Sequence, residues 1–346
     1  MDIAIVLQQM VIIFILISIG MLLYKKKLLS ETTSKQISGI IVNVTNPALL
    51  ICSAFQDGPK VSLQGLGTAL AVYLLIYALL ITASFLIPRI LRVPDMYHYA
   101  YQMLTIFGNV GFIGIPLASA VLGAQSLIFV SIYNLIFNIL IYTFGISLLR
   151  KAEAKQLAAQ AASRKEDTTP ACDATVHDDA NAYVCTDKKQ TTRTKEPHNR
   201  LQKLVNAGTI SAAATIIFYL GDFKVPVIVS STLSYMGQAT TLLSMLVLGV
   251  SVAQMTLKDI FSHPKLYGFT LLRQILLPVG CILLLRPMVQ DTLILNTMAL
   301  MLAVPAANMP LMLCKQLHVD TDTISQGIIL TTILSLVTIP VVSFFL

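Results

Sequence analysis

The chain has 346 residues, of which 55% are hydrophobic and only 12% charged, with a net charge of +7. An ordinary soluble protein carries about a quarter charged residues. The mean hydropathy of +0.76 therefore excludes a plain water-soluble domain, because one core could not hold so much apolar surface. The excess belongs in lipid, which admits only helices or closed barrels as spans. The apolar runs here last about twenty residues, the helical signature, whereas barrel strands alternate over about ten.

Ten apolar segments follow one another, at 3–24, 34–55, 65–87, 97–121, 125–149, 205–221, 227–252, 264–286, 292–316 and 323–346. In the first, the basic cluster Lys25-Lys26-Lys27 follows the apolar run instead of preceding it, and no small-residue cleavage site comes after. That order reads as a retained span, not a secretory leader. The second carries Asn43-Val44-Thr45-Asn46-Pro47, where Pro47 predicts a kink. The fourth carries Gly108-Asn109-Val110-Gly111-Phe112-Ile113-Gly114-Ile115-Pro116, in which three glycines and a proline break the helical ladder. In the fifth, Tyr133, Asn134 and Asn138 share a face that either lines a cavity or packs between helices. The seventh has a polar stretch from Gln238 through Thr240 to Ser244, and the eighth contains Arg273 about two turns in. The ninth carries Pro305-Ala306-Ala307-Asn308-Met309-Pro310, so two donors are missing within six residues.

Residues 150–204 are of another kind, rich in Lys, Arg, Asp, Glu, Thr and Ala. That composition predicts disorder, apart from a short helix running on from Arg150 to about Ser163. The loop divides the chain into a five-span half at 1–149, a loop at 150–204 and a second five-span half at 205–346. An odd number of spans per half predicts two inverted repeats. With the N-terminus outside, twenty Lys and Arg residues fall on the inner side and three on the outer, and without the long loop the split is still nine to three. The positive-inside rule then places both termini outside and the loop in the cytoplasm of a multi-pass protein of the cell (inner) membrane. These cytoplasmic charges face anionic lipid and need no nucleic acid to explain them.

Of the five cysteines, Cys52, Cys281 and Cys314 lie in apolar runs, and Cys172 and Cys185 lie in the loop, where the cytosol would keep them reduced. The loop set Cys172, His177, Cys185 and His198 matches no zinc spacing, so no metal is expected. No nucleotide loop or nucleophile elbow is present, no cofactor is expected, and an enzyme is not.

Corresponding breaks in the two halves point to a binding site near the midplane. There the candidate helix-break residues are Gly108, Gly111, Gly114, Pro116, Pro305, Pro310 and Pro47. Asn109 and Asn308 would bond either to freed backbone or to a substrate oxygen. Asn46, Tyr133 and Asn134 are further candidate lining residues. All seventeen acidic residues fall in loops or at span ends, and His98, His263 and His318 sit near span ends. Arg273 is the one candidate charge inside a span. It either attracts an anion or snorkels to the cytoplasmic headgroups.

Three stretches carry a family likeness: GNVGFIGIP at 108–116, NPALLICSAF at 46–55, and the run from Val304 that begins VPAANMPLMLCKQL. They resemble the auxin efflux carrier family, relatives of the plant PIN-type auxin transporters, over nearly the whole chain outside the loop. The resemblance implies an all-α fold of ten transmembrane helices shared with bile acid:sodium symporters, with spans 4 and 9 crossing at their breaks. It also implies carboxylated substrates such as indole-acetic acid, malate or malonate, an elevator motion, and homodimers formed through the scaffold spans. Carried over, Asn109 and Pro116 match the first crossing, Pro305 and Asn308 the second, and Asn46 and Pro47 the scaffold kink. The seventh span departs from the pattern, since Ala239-Thr240-Thr241-Leu242 contains no proline. The resulting expectation is a secondary transporter of small organic anions. A sodium-coupled organic-acid symporter of the same fold is the alternative. A membrane sensor or enzyme would need a folded soluble domain or convergent titratable groups, and neither is evident.

Overall fold

Proline and glycine punctuate this chain, and the helices begin, widen and end where they dictate. The computed structural model describes residues 3–55, 61–166, 206–221, 223, 225–254 and 264–346. The expectations about residues 167–204, including Cys172 and Cys185, lie outside the described residues.

Twelve helical runs follow in order. They are α1 (Ile3–Lys25), α2 (Glu31–Ser53), α3 (Leu63–Ile90), α4 (His98–Ile106), α5 (Val110–Leu122), α6 (Leu127–Leu140, continuing through Ile141–Gly145 and Ile146–Glu166), α7 (Ala207–Gly221), α8 (Val227–Ala253), α9 (Pro264–Leu285), α10 (Thr292–Ala303), α11 (Met309–Gln316) and α12 (Asp322–Ser343). Among the described residues the only strand-like feature is one antiparallel pairing of Gly108 with Ala306. The helix expected to run on from Arg150 is the last part of α6.

Among the described residues seven helices are long and apolar enough to cross a membrane: α1, α2, α3, α6, α8, α9 and α12. A bilayer core needs about twenty helical residues. The eight to thirteen residues of α4, α5, α10 and α11 fall short singly. Taken in succession, α4 with α5 and α10 with α11 give the broken fourth and ninth segments read from the sequence. The outward faces remain apolar, as at Val11, Phe14, Leu22, Leu74 and Leu86, which suits contact with acyl chains.

Four π turns interrupt the helices, at Ile41–Thr45 in α2, Val110–Gly114 in α5, Ile141–Gly145 in α6 and Leu272–Leu276 in α9. Three of them end two residues before a proline: Pro47, Pro116 and Pro278. The cause is steric. A proline ring clashes with the carbonyl four residues back and cannot donate to it, and one wide turn relieves both problems without ending the helix. The turn also re-aims side chains. In α9 the consecutive residues Arg273 and Gln274 are both buried.

The helices sort into two groups. In the first, α8 packs along α1 and across α2, and α7 packs on α2 and about as extensively on α6 of the second. In the second, α3 and α6 flank the short helices, and α12 packs against α4, α9 and α10. Close α1–α8 packing depends on small residues. A Cβ on Gly20 would lie 2.5 Å from the Leu246 carbonyl oxygen, and one on Gly249 would lie 2.2 Å from that of Ile17. Where lipid is as apolar as the side chains, such close approach is what holds two helices together.

The two breaks satisfy each other. The Asn109 N–H donates to the Pro305 carbonyl at 2.7 Å, and the Ala307 N–H donates to the Phe107 carbonyl at 2.9 Å. Between them, the Ala306 N–H donates to the Thr331 hydroxyl of α12 at 3.2 Å. That hydroxyl in turn donates to the Gly327 carbonyl at 2.7 Å. The Gln274 amide fastens α9 to the same place by donating to the Thr331 carbonyl at 2.9 Å.

Two predictions follow from these contacts. Gly249→Ala must push α1 from α8 and is expected to destabilise the protein by about 1–3 kcal/mol. Gly280→Ala, whose Cβ meets nothing within 4 Å, is expected to be neutral in thermal unfolding in detergent. Thr331→Val leaves the Ala306 N–H buried without a partner and is expected to cost about 1–3 kcal/mol. Thr332→Val removes only a bond to its own helix, at Ile328, and should cost clearly less in the same assay.

Candidate functional site

Four half-helices converge at the crossing. α4 and α10 end there, and α5 and α11 begin there. Helix ends carry orphan backbone groups and about half a charge each, negative at C-termini and positive at N-termini. The crossing is therefore polar although its side chains are mostly apolar.

Glycine at 108 is required by crowding. A Cβ there would lie 3.0 Å from Val304 Cγ2 and 3.1 Å from Arg273 Nη2. Asn109 caps α5, with its Oδ1 accepting from the Phe112 N–H at 3.2 Å. Its Nδ2 is buried and has no partner. Asn46 reaches across from α2, its Nδ2 donating to the Gly111 carbonyl at 2.9 Å. This bond fixes the amide so that Oδ1 is left buried without a partner. Pro310 stands in the first turn of α11, where a missing N–H costs nothing, whereas Pro47 and Pro116 stand inside α2 and α5 just after the wide turns that accommodate them. Pro305 contributes the carbonyl that receives Asn109. Gly114 abuts the Met301 side chain, whose sulfur would lie 3.1 Å from a Cβ. Asn308, at the start of α11, is half-buried, and its side chain forms no cap.

Arg273 is 1% exposed and does not snorkel. Its Nη1 donates to the Leu302 carbonyl, in the last turn of α10, at 2.5 Å. Nε and Nη2 are buried without partners. Among the described residues no carboxylate pairs with it; the groups within its electrostatic reach are the phenols of Tyr133 and Tyr77 and the Cys281 thiol. Tyr133 stacks at a tilt on Tyr77, with ring centroids 4.9 Å apart, and meets the edge of Tyr73 at 5.5 Å. The Tyr73 hydroxyl is buried without a partner, while those of Tyr77 and Tyr133 lie close to one another.

The face of α6 read from the sequence divides in two. Tyr133 turns toward α3, while Asn138 donates to the Asn134 carbonyl at 2.8 Å and lies against Gly208 of α7. Neither asparagine hydrogen-bonds to the crossing.

A second polar face comes from α8. Cys52 Sγ lies 3.8 Å from the Ser230 carbonyl, and a Cβ on Gly237 would lie 2.9 Å from Leu49 Cα. α2 and α8 therefore run antiparallel, and α8 also packs on the π turn Ile41–Thr45 of α2. The hydroxyls of Thr45, Thr240 and Ser244 are buried without partners. Other buried hydroxyls bond to their own helix, as at Thr105, Ser131, Thr215, Thr270 and Thr297, while that of Thr338 is also without a partner.

Reasoning on sequence missed Gln274, Thr331 and the pair Tyr73 and Tyr77. Gln274 alone carried a signal, as an amide beside an arginine in an apolar span. Among the described residues no group of three His, Cys, Asp or Glu side chains could hold a metal ion.

Comparison with known proteins agrees with this architecture. A family model described as membrane transport protein matches residues 5–343. A search of curated proteins returns no match. The match runs from α1 to the end of α12: the chain belongs to the membrane transport protein family, that of the auxin efflux carriers.

Proposed function

We propose that the chain is a secondary transporter of small organic anions such as carboxylates, with its site at the crossing of the fourth and ninth spans. One observation carries this reading. The side-chain donors left unfilled at the crossing are the Asn109 Nδ2 and the Nε and Nη2 of Arg273, an arginine with no acidic partner among the described residues, and α5 and α11 begin beside them. A donor-rich, positively biased pocket suits a carboxylate. Asn308, half-buried and uncapped, completes the set. A carrier of this kind needs no catalytic residue.

Within this reading the chain spans the cell membrane ten times, in two inverted halves at 1–149 and 205–346, with both termini outside and the loop 150–204 in the cytoplasm. The α3–α6 and α9–α12 group would carry the substrate past α1, α2, α7 and α8 by an elevator motion, in a homodimer held by the latter group. The oxygens of Thr45, Asn46, Thr240 and Ser244 favour a second reading, a sodium-coupled organic-acid symporter, because unpartnered hydroxyl and amide oxygens are hard-cation ligands. Replacing sodium by choline would stop that flux and leave an uncoupled carrier untouched.

The test is carboxylate flux in proteoliposomes under an imposed membrane potential. Asn109→Ser keeps an oxygen to cap α5 but removes the idle donor. It is expected to melt like wild type and to lose flux by about tenfold or more, the worth of one hydrogen bond to a charged group. Asn308→Ala should lose flux likewise. Wild-type flux in both variants would refute this site.

A further inference from the structure

The crossing sorts charge by helix end. The N-terminal turns of α5 and α11 suit an anion. The C-terminal turns of α4 and α10 suit a cation, and in carriers with broken helices such carbonyl-bearing ends hold the coupling ion. In this chain a side chain occupies that place.

The guanidinium of Arg273 reaches it from the π turn of α9. Nη1 donates to the Leu302 carbonyl in the last turn of α10, at 2.5 Å. Nη2 lies against Gly108, 3.1 Å from where a Cβ would stand, and Gly108 is two residues beyond the end of α4. One guanidinium thus bonds to the negative end of α10 and stands, without a hydrogen bond, beside the residue that follows the end of α4. Each end carries about half a unit of negative charge, so the pair matches one full positive charge. This explains how an arginine only 1% exposed stands in the protein interior with no acidic partner among the described residues. The glycine is part of the same device, because any side chain at 108 would displace Nη2. Gln274, from the same π turn, holds the turn in place through the Thr331 carbonyl.

We propose that Arg273 is a tethered counter-cation. It fills permanently the seat between the C-terminal ends of α4 and α10 that a dissociable coupling cation would otherwise take, so that transport needs neither sodium nor a proton gradient. A guanidinium suits the part, since it stays protonated at every physiological pH and its fork can meet two carbonyl-bearing ends at once. The inference rests on the anion-carrier reading of the crossing.

The full-length protein tests it by two readouts, thermal unfolding in detergent and carboxylate flux in proteoliposomes. The variants are Arg273→Ala, Arg273→Gln and Arg273→Lys, each in sodium chloride, in choline chloride and with low-millimolar guanidinium. Wild type is expected to be indifferent to all three media. Arg273→Ala should melt lower and lose flux about tenfold or more, and guanidinium, by refilling the vacated seat, should raise its melting temperature and restore part of the flux. Arg273→Gln keeps a donor for Leu302 without the charge and should be as defective as Ala, whereas Arg273→Lys should retain more flux than either. Several outcomes overturn the proposal: a wild type whose flux requires sodium, a glutamine variant equal to wild type, or an alanine variant that guanidinium does not rescue while lysine does no better. If Arg273→Ala does not fold, the Gln and Lys pair decides. If wild type moves no carboxylate, the proposed function fails, and melting with and without guanidinium still decides what Arg273 does.

Discussion

A backbone N–H or C=O with no partner costs several kcal/mol in hydrocarbon, where no water can take the missing bond. A helix interrupted inside such a medium survives only if its loose groups find each other. Here Phe107, Gly108 and Asn109 meet Pro305, Ala306 and Ala307 in a two-bond antiparallel pairing, and Thr331 takes the N–H left between them. Everything polar about the site is a by-product of that exchange. Each break turns one long helix into two short ones, and each short helix brings one charged end to the same place.

The prolines serve this arrangement through the turns that precede them. Widening at Ile41–Thr45, Val110–Gly114 and Leu272–Leu276 lets the chain carry Pro47, Pro116 and Pro278 without ending the helix. It also brings Asn46, Asn109 and Arg273 to the crossing from three different helices. Local strain in the ladder becomes side-chain aim.

Much of this was readable in the amino-acid order. The breaks at 108–116 and 305–310 stand out because proline and glycine act on the backbone directly, and the ten apolar segments reappear as helices or broken pairs of helices. The placement of side chains was less legible. Arg273 stands about two turns from the start of its helix, where snorkelling and burial are both open to an ideal α-helix, and only the π turn decides for burial. Tyr133 and Asn134 are neighbours in sequence, yet they turn to α3 and toward α7, because α6 is wedged between the two groups of helices. Thr331 reads as one more small polar residue of an apolar helix. Its part as acceptor for Ala306 depends on a contact across 25 positions that no local pattern encodes.

The Asn46 bond to the Gly111 carbonyl has a mechanical meaning. It ties α2 to the first turn of α5 by one neutral hydrogen bond, worth about 1 kcal/mol net. Pulling the crossing itself apart would expose the Asn109, Ala306 and Ala307 donors together, a far steeper penalty. Asn46 therefore joins α2 to the broken span at a single point, while the crossing is held by several bonds at once.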